Sequence, residues 1–198
     1  MIKLILDSSN KSLAVGIADD KVIDSTSYEA WQSQSEHMIP EIDALLNKHN
    51  FSRNDIGEVV VTIGPGSYTG IRISLTIAKV VCLALNIPMK TLSSLSALQD
   101  LNKPSICLMD ARSGRSYIGV YDKDKVLLSD QVMNNDDVIN YINTHKEFAI
   151  CGDLKYLGLS GYINDLVFTM NELSKTSKIA NDPLVVKPVY LKDEYAIK

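Results

Sequence analysis

The sequence predicts an α/β protein of two tandem lobes facing each other across a cleft. Each lobe is a mixed sheet that begins with a β-hairpin and is flanked by helices. Three observations predict this. An Asp-led hairpin pattern occurs twice, a buried strand running into a glycine turn occurs twice, and the two motifs keep the same order in both halves.

The hairpins come first. Laying LILDSSNKSLAVGIADDKV, from Leu4, over CLMDARSGRSYIGVYDKDKV, from Cys107, sets Asp7 on Asp110 and Gly16 on Gly119. After one inserted residue, Asp20-Lys21-Val22 meets Asp124-Lys125-Val126. Each copy reads as strand, small polar turn, strand. The second motif pairs EVVVTIGPGSYTG, from Glu58, with EFAICGDLKYLG, from Glu147, so that Gly64 meets Gly152 and Gly70 meets Gly158. Between the motifs lies a helical stretch, long in the first half (SQSEHMIPEIDALLNKH) and shorter in the second (NDDVINYINTHK). The break is expected near residues 101–105, where Pro104 precedes the second hairpin. Residues 1–101 then form the first lobe and 102–198 the second, smaller one.

The totals exclude several classes. With 45% hydrophobic and 22% charged residues the chain is globular rather than disordered. A formal net charge of −4 and no Lys/Arg cluster argue against a protein that grips nucleic acid alone. The start, MIKLILDSSN, lacks the apolar core of a signal peptide. The longest apolar stretch, Ile71 to Pro88, carries Arg72 and Lys79, too short and too charged a run to span a bilayer. Cys82, Cys107 and Cys151 are odd in number and set in apolar runs, which reads as buried free thiols in a reducing, cytoplasmic setting. The three histidines stand apart, and no metal spacing is present.

Gly64, Gly66 and Gly70 allow close backbone approach, and the helix after them points free N–H groups back at the turn. GPGSYTG nonetheless differs in spacing from G-x-G-x-x-G and lacks the Lys-Ser/Thr ending of the Walker loop. Two readings stand side by side. In one, Asp7, Ser8, Ser9, Gly64, Gly66, Ser67 and Asp110 line a nucleotide cleft, with Asp7 and Asp110 near Mg²⁺. In the other, the glycines make a tight strand-to-helix turn with Ser67 or Thr69 as cap, and the Asp residues are turn formers. No nucleophile has a base beside it in the sequence.

The first long helix carries Met38, Ile39, Ile42, Leu45 and Leu46 in one stripe, interrupted by Pro40. The helix after the glycine turn has two apolar sides. Ile73, Ile77, Val80 and Ala84 lie on one, and Ile71, Leu75, Ala78, Cys82 and Leu85 on the other. A helix with two apolar sides is either sandwiched within its lobe or meets another chain. Met38, Ile42, Leu45, Ile73, Ile77, Val80 and Ala84 are the candidate partner-contact residues, suited to a two-fold, four-helix contact.

LDSSNKSLAVGI, SEHMIPEID, TIGPGSYTGIRISLTIAK, MDARSGRSYIGVY and the late KPVYLK resemble, in order, the landmarks of the bacterial TsaB (YeaZ) family over nearly the whole chain. The run from Gly64 to Arg72 is the most specific part, with Asp110-Ala111-Arg112 in support. The resemblance implies an actin-like (RNase H-like) fold and a place in making N6-threonylcarbamoyladenosine at position 37 of tRNA. It implies a non-catalytic partner of a TsaD-like transferase, joined by a TsaE-like ATPase, that holds tRNA indirectly and self-associates as a homodimer through the two helices. Catalytic relatives hold a metal with His-x-x-x-His on the first helix. Here that place reads His37-Met-Ile-Pro-Glu41, without the second histidine. No resident cofactor is expected, although weak ATP or ADP and Mg²⁺ contact through the complex remains compatible. The old description of such proteins as glycoprotease-like finds no activated serine or metal set here. The alternative from another class is a small phosphotransferase or ATPase working in the interlobe cleft.

Overall fold

The computed structural model describes residues 1–191; Lys192, the end of KPVYLK, and the residues after it lie outside the described residues. β1 (Ile2–Asp7) and β2 (Ser12–Ala18) form the first hairpin, and β3 (Val22–Glu29), which the sequence motif did not include, extends it. α1 (Gln34–Lys48) leads to β4 (Ile56–Thr62), α2 (Tyr68–Leu85) and β5 (Met89–Leu92). The sheet order is β3-β2-β1-β4-β5, antiparallel through the hairpins and parallel across β1, β4 and β5.

The second half repeats the scheme with β6 (Ser105–Arg112), β7 (Arg115–Asp122), β8 (Lys125–Asn134), α3 (Asn135–Thr144) and β9 (Ala149–Cys151). Its order, β8-β7-β6-β9, is that of the first sheet without the fifth strand. The repeat extends to backbone angles: Gly64 and Gly152, each just past the parallel strand, have φ of +111° and +117°. The match of Gly70 to Gly158 does not hold, because Gly70 lies in the first turn of α2 while Gly158 ends a short 3₁₀ turn at Lys155–Leu157.

Strand alternation separates the two faces of the first sheet. Leu4, Leu6, Val15, Ile17, Val59 and Val61 point to the face covered by α1 and α2. Ile5, Ala14, Ala18 and Val60 point to the other, where they meet Val167, Met170 and Leu173 of α4 (Leu166–Ser174). The chain therefore crosses back, and α4 completes the first lobe. The expected break at 101–105 falls between the two sheets, and α4, which lies after it, packs on the first sheet. The cause is physical: the first sheet has an apolar second face, and Ala97 and Leu101 cover it only together with Val167, Met170 and Leu173 of α4. After α4 the chain stays on the first lobe, where Ala180 N–H donates to Met89 O and Val189 N–H to Ile63 O.

By length and composition alone α2, at 18 residues, would be long and apolar enough to cross a membrane, which the sequence reading of this stretch denied. Its inner face is nevertheless spent on the sheet, through Ile71, Leu75, Ala78 and Cys82. The three cysteines are free and buried, as expected.

Candidate functional site

The turns after β1, β4, β6 and β9 all lie at the carboxyl ends of their strands, where open α/β sheets bind ligands. Between the lobes they enclose a cleft of about 360 Å³ whose walls include Ser9, Ser67, Tyr68, Asp110, Arg112 and Tyr190. Of the seven residues expected there, Ser9, Gly66, Ser67 and Asp110 line it. Asp7, Ser8 and Gly64 do not.

Asp7 is 3% exposed and accepts from Thr62 Oγ1 and from the Ser9 N–H at 3.3 Å. Burial pushes its carboxyl above the usual range. Both carboxylate oxygens thus accept hydrogen bonds, and the residue lines a smaller pocket of about 160 Å³ beside the cleft, with Ser9, Met109, Gly152 and Asp153. Asp110 accepts from the Arg112 N–H at 2.7 Å, as an Asp-led turn does.

The glycine loop is closed from within. Ser67 N–H donates to Ser9 O at 2.7 Å, and Ser8 Oγ donates to Gly70 O at 2.7 Å. A Cβ at Gly66 would run into the Ser9 carbonyl, and one at Gly70 into the Ser8 carbonyl. Ser67 Oγ accepts from Gly70 N–H at 3.2 Å and caps α2. The close approach that glycine permits thus brings the loop into direct backbone contact with the hairpin turn. Gly64 is likewise filled, facing the Val189 carbonyl at 2.5 Å from an added Cβ.

The histidines serve locally. His37 Nδ1 lies 2.9 Å from Ser33 O, His49 Nε2 is 2.7 Å from Asp24, and His145 Nδ1 is 2.9 Å from Tyr141 O. Glu41, where a second metal histidine was sought, accepts from Tyr28 OH at 2.8 Å. Among the described residues, no group of three or more His, Cys, Asp or Glu gathers as a metal set.

Three comparisons bear on this geometry. Residues 28–160 match the family model described as TsaD, tRNA N6-adenosine threonylcarbamoyltransferase. The chain is 34% identical over 147 residues to the tRNA threonylcarbamoyladenosine biosynthesis protein TsaB of Bacillus subtilis, covering 70% of this chain and 62% of that one. It is 27% identical over 196 residues to the uncharacterized protein MG208 of Mycoplasma genitalium, covering 96% and 95%. The structure of YeaZ from Pseudomonas aeruginosa has the same fold, with a TM-score of 0.77 at 17% identity over 96% of this chain and 99% of that one.

The chain belongs to the TsaB (YeaZ) family.

In this TsaB-family chain the second feature of note is a groove of about 500 Å³ between α1 and α2, lined by Ser35, Ile39, Tyr68, Arg72, Ile73 and Ile77. Ile39 is 54% exposed, Val80 60% and Leu83 51%, so the outer face of α2 stays apolar and open. Ala84 is exposed on the same face, and Ile73 and Ile77 are half-buried. Three of the expected contact residues are corrected. Met38, Ile42 and Leu45 are 0%, 7% and 6% exposed in the core of their own lobe, because the inward stripe of α1 is needed to cover β1, β2 and β4.

Sequence reasoning missed Trp31, Tyr117 and Tyr190 on the cleft wall. It also missed the clasp at the mouth. The Tyr68 and Tyr190 rings stack at 4.8 Å, Arg72 lies 3.9 Å over the Tyr68 ring, and Arg72 Nε donates to Tyr190 OH at 2.8 Å. The i, i+4 spacing of Tyr68 and Arg72 was the available signal; the third member comes from 118 residues away.

Proposed function

We propose that this chain is a non-catalytic subunit in the biosynthesis of N6-threonylcarbamoyladenosine in tRNA, activating a TsaD-like transferase by docking it on the α1–α2 face. The observation that carries the reading is the open apolar face of α2, with Val80 and Leu83 more than half exposed on a helix whose other face is fully used. Leaving such side chains in water forgoes burial that a partner supplies, at about 25 cal/mol per Å². The glycine loop supports the same reading, since its Ser67 N–H and both close-approach glycines are committed to the first hairpin turn. A TsaE-like ATPase completes the complex, and tRNA is held through the partners, in keeping with a net charge of −4. Alone, the chain pairs with a second copy through the same face, in the cytoplasm.

The test is a reconstitution. The cognate TsaD-like and TsaE-like proteins are mixed with unmodified tRNA, threonine, bicarbonate, ATP and the enzyme that makes the adenylate. Modified adenosine is then measured with and without this chain. Product that depends on the chain, with none from the chain alone, is the expected result. Equal product in its absence overturns the proposal.

A further inference from the structure

Arg72 is an exposed guanidinium that has been fixed in place. Its Nε is held by Tyr190 OH, its plane lies on the Tyr68 ring, and the Tyr190 ring is 5.7 Å from its centre. Yet among the described residues it makes no ion pair: the acidic partners there go to Lys48, His49, Lys90, Lys175 and, for Asp110, to Arg112. The other charge on α2, Lys79, donates to Leu184 O at 2.9 Å. An arginine normally spends considerable rotamer freedom on binding, and a stacked, hydrogen-bonded one has given most of it up beforehand. The terminal N–H pairs remain as a rigid fork, the shape that receives a planar oxyanion at two points.

The surroundings select among oxyanions. Arg72 sits in the wall of the α1–α2 groove beside Ile39, Ile73 and Ile77, so whatever meets the fork must also cover aliphatic side chains. A phosphate backbone does not do that, and the chain offers no basic field to hold one. A partner helix with apolar residues on either side of an Asp or Glu does both. We infer that Arg72, clasped by Tyr68 and Tyr190, is the charge-reading residue of the α1–α2 docking groove, and that the helix seated there brings it a carboxylate. The inference rests on the proposed docking of a TsaD-like protein, and it gives the strap at Val189–Tyr190 a part in recognition. The strap reaches Arg72 because Val189 N–H is pinned to Ile63 O at 2.7 Å. Tyr190 is accordingly a positioning residue, acting through the arginine.

The test uses the full chain and its cognate TsaD-like protein, with binding followed calorimetrically at low and high salt. Arg72→Gln is expected to weaken binding about 30-fold or more, and Arg72→Lys about tenfold, since lysine keeps the charge and loses the fork. Tyr190→Phe, which keeps the stacked ring and loses the hydroxyl, is expected to cost several-fold with thermal unfolding unchanged. Added salt should weaken the wild type more than Arg72→Gln. Normal binding by Arg72→Gln while Val80→Asp abolishes it overturns this inference and leaves the docking face standing. Normal binding by both variants overturns the docking face itself. If Arg72→Gln keeps transferase affinity but dissociates a homodimer or loses affinity for tRNA, the carboxylate is not the transferase's, and the inference fails.

Discussion

Asp7 and Asp130 are carboxyls held by hydroxyls rather than by cations. Asp130 accepts from Ser93 Oγ at 2.5 Å and from Tyr121 OH, and it joins β8 to the segment that connects the lobes. Burial raises its carboxyl above the ordinary value near 3.8, with the two hydroxyls opposing. A carboxyl raised on folding binds its proton more tightly in the folded state, so its contribution is fully present below about 3.8 and is lost as pH rises through the folded value. Asp24 behaves oppositely. Lys48 and then His49 bring its carboxyl down to about 2, so that contribution is present above 3.8 and lost as pH falls toward 2. The expected outcome for Asp130→Asn is therefore a pH trend. Melting temperatures measured from pH 7 to pH 4 should move in favour of the wild type, relative to the variant, as the solution becomes more acid. A difference independent of pH would remove Asp130 from this role.

At the scale of the element, α2 combines a sheet-covering face and an open one, and a charge placed on each should separate them. Leu75 is 3% exposed in the first-lobe core, so Leu75→Asp buries an unpaired carboxylate and removes an apolar contact, at a cost of at least about 4 kcal/mol. Val80 is 60% exposed, and Val80→Asp should stay within about 0.5 kcal/mol of the wild type while no longer binding the TsaD-like protein. Urea unfolding and partner titration read the two effects apart. A Leu75→Asp protein as stable as the wild type would mean that the helix is seated the other way round. Asn86, in the left-handed conformation, ends the helix as a C-cap should, and Ser67 starts it. The helix boundaries are thus local, while the choice of face is not.

The whole molecule is held together by the return of α4 to the first sheet. Lys3 Nζ donates to Asn171 Oδ1 at 3.0 Å, Lys90 Nζ donates to Ser174 O at 2.9 Å, and Lys90 pairs with Glu58 at 3.2 Å. Among the described residues Glu58 Oε1 is buried without a hydrogen-bond partner, so this carboxylate depends on Lys90. Lys90→Met should cost about 3 kcal/mol, because it strands a charge that is largely out of water. Adding Glu58→Gln to it should restore part of that loss, since the stranded charge is then gone. Denaturant unfolding of the two singles and the double gives the coupling, and additive costs would mean that Glu58 does not depend on Lys90 as argued.

Much of this was legible in the chain itself. The tandem hairpins, the parallel strand after each helix and the glycine turns are written in short-range patterns, because alternation, turn chemistry and capping act over a few residues. The two apolar sides of α2 were equally visible, and so was the missing second histidine at Glu41. What stayed out of reach depends on contacts between distant segments. Whether GPGSYTG cradles a phosphate or leans on a neighbouring turn is decided by the Ser8 and Ser9 carbonyls, more than fifty residues away. Which stripe of α1 turns inward follows from the area that β1, β2 and β4 leave uncovered, and the Tyr68–Arg72–Tyr190 clasp joins segments 118 residues apart. The sequence by itself determined the repeated elements, their order and the family. The tertiary structure alone decided which surfaces are spent on the molecule's own core and which remain open to a partner, because burial is a property of the assembled layers and not of any one segment.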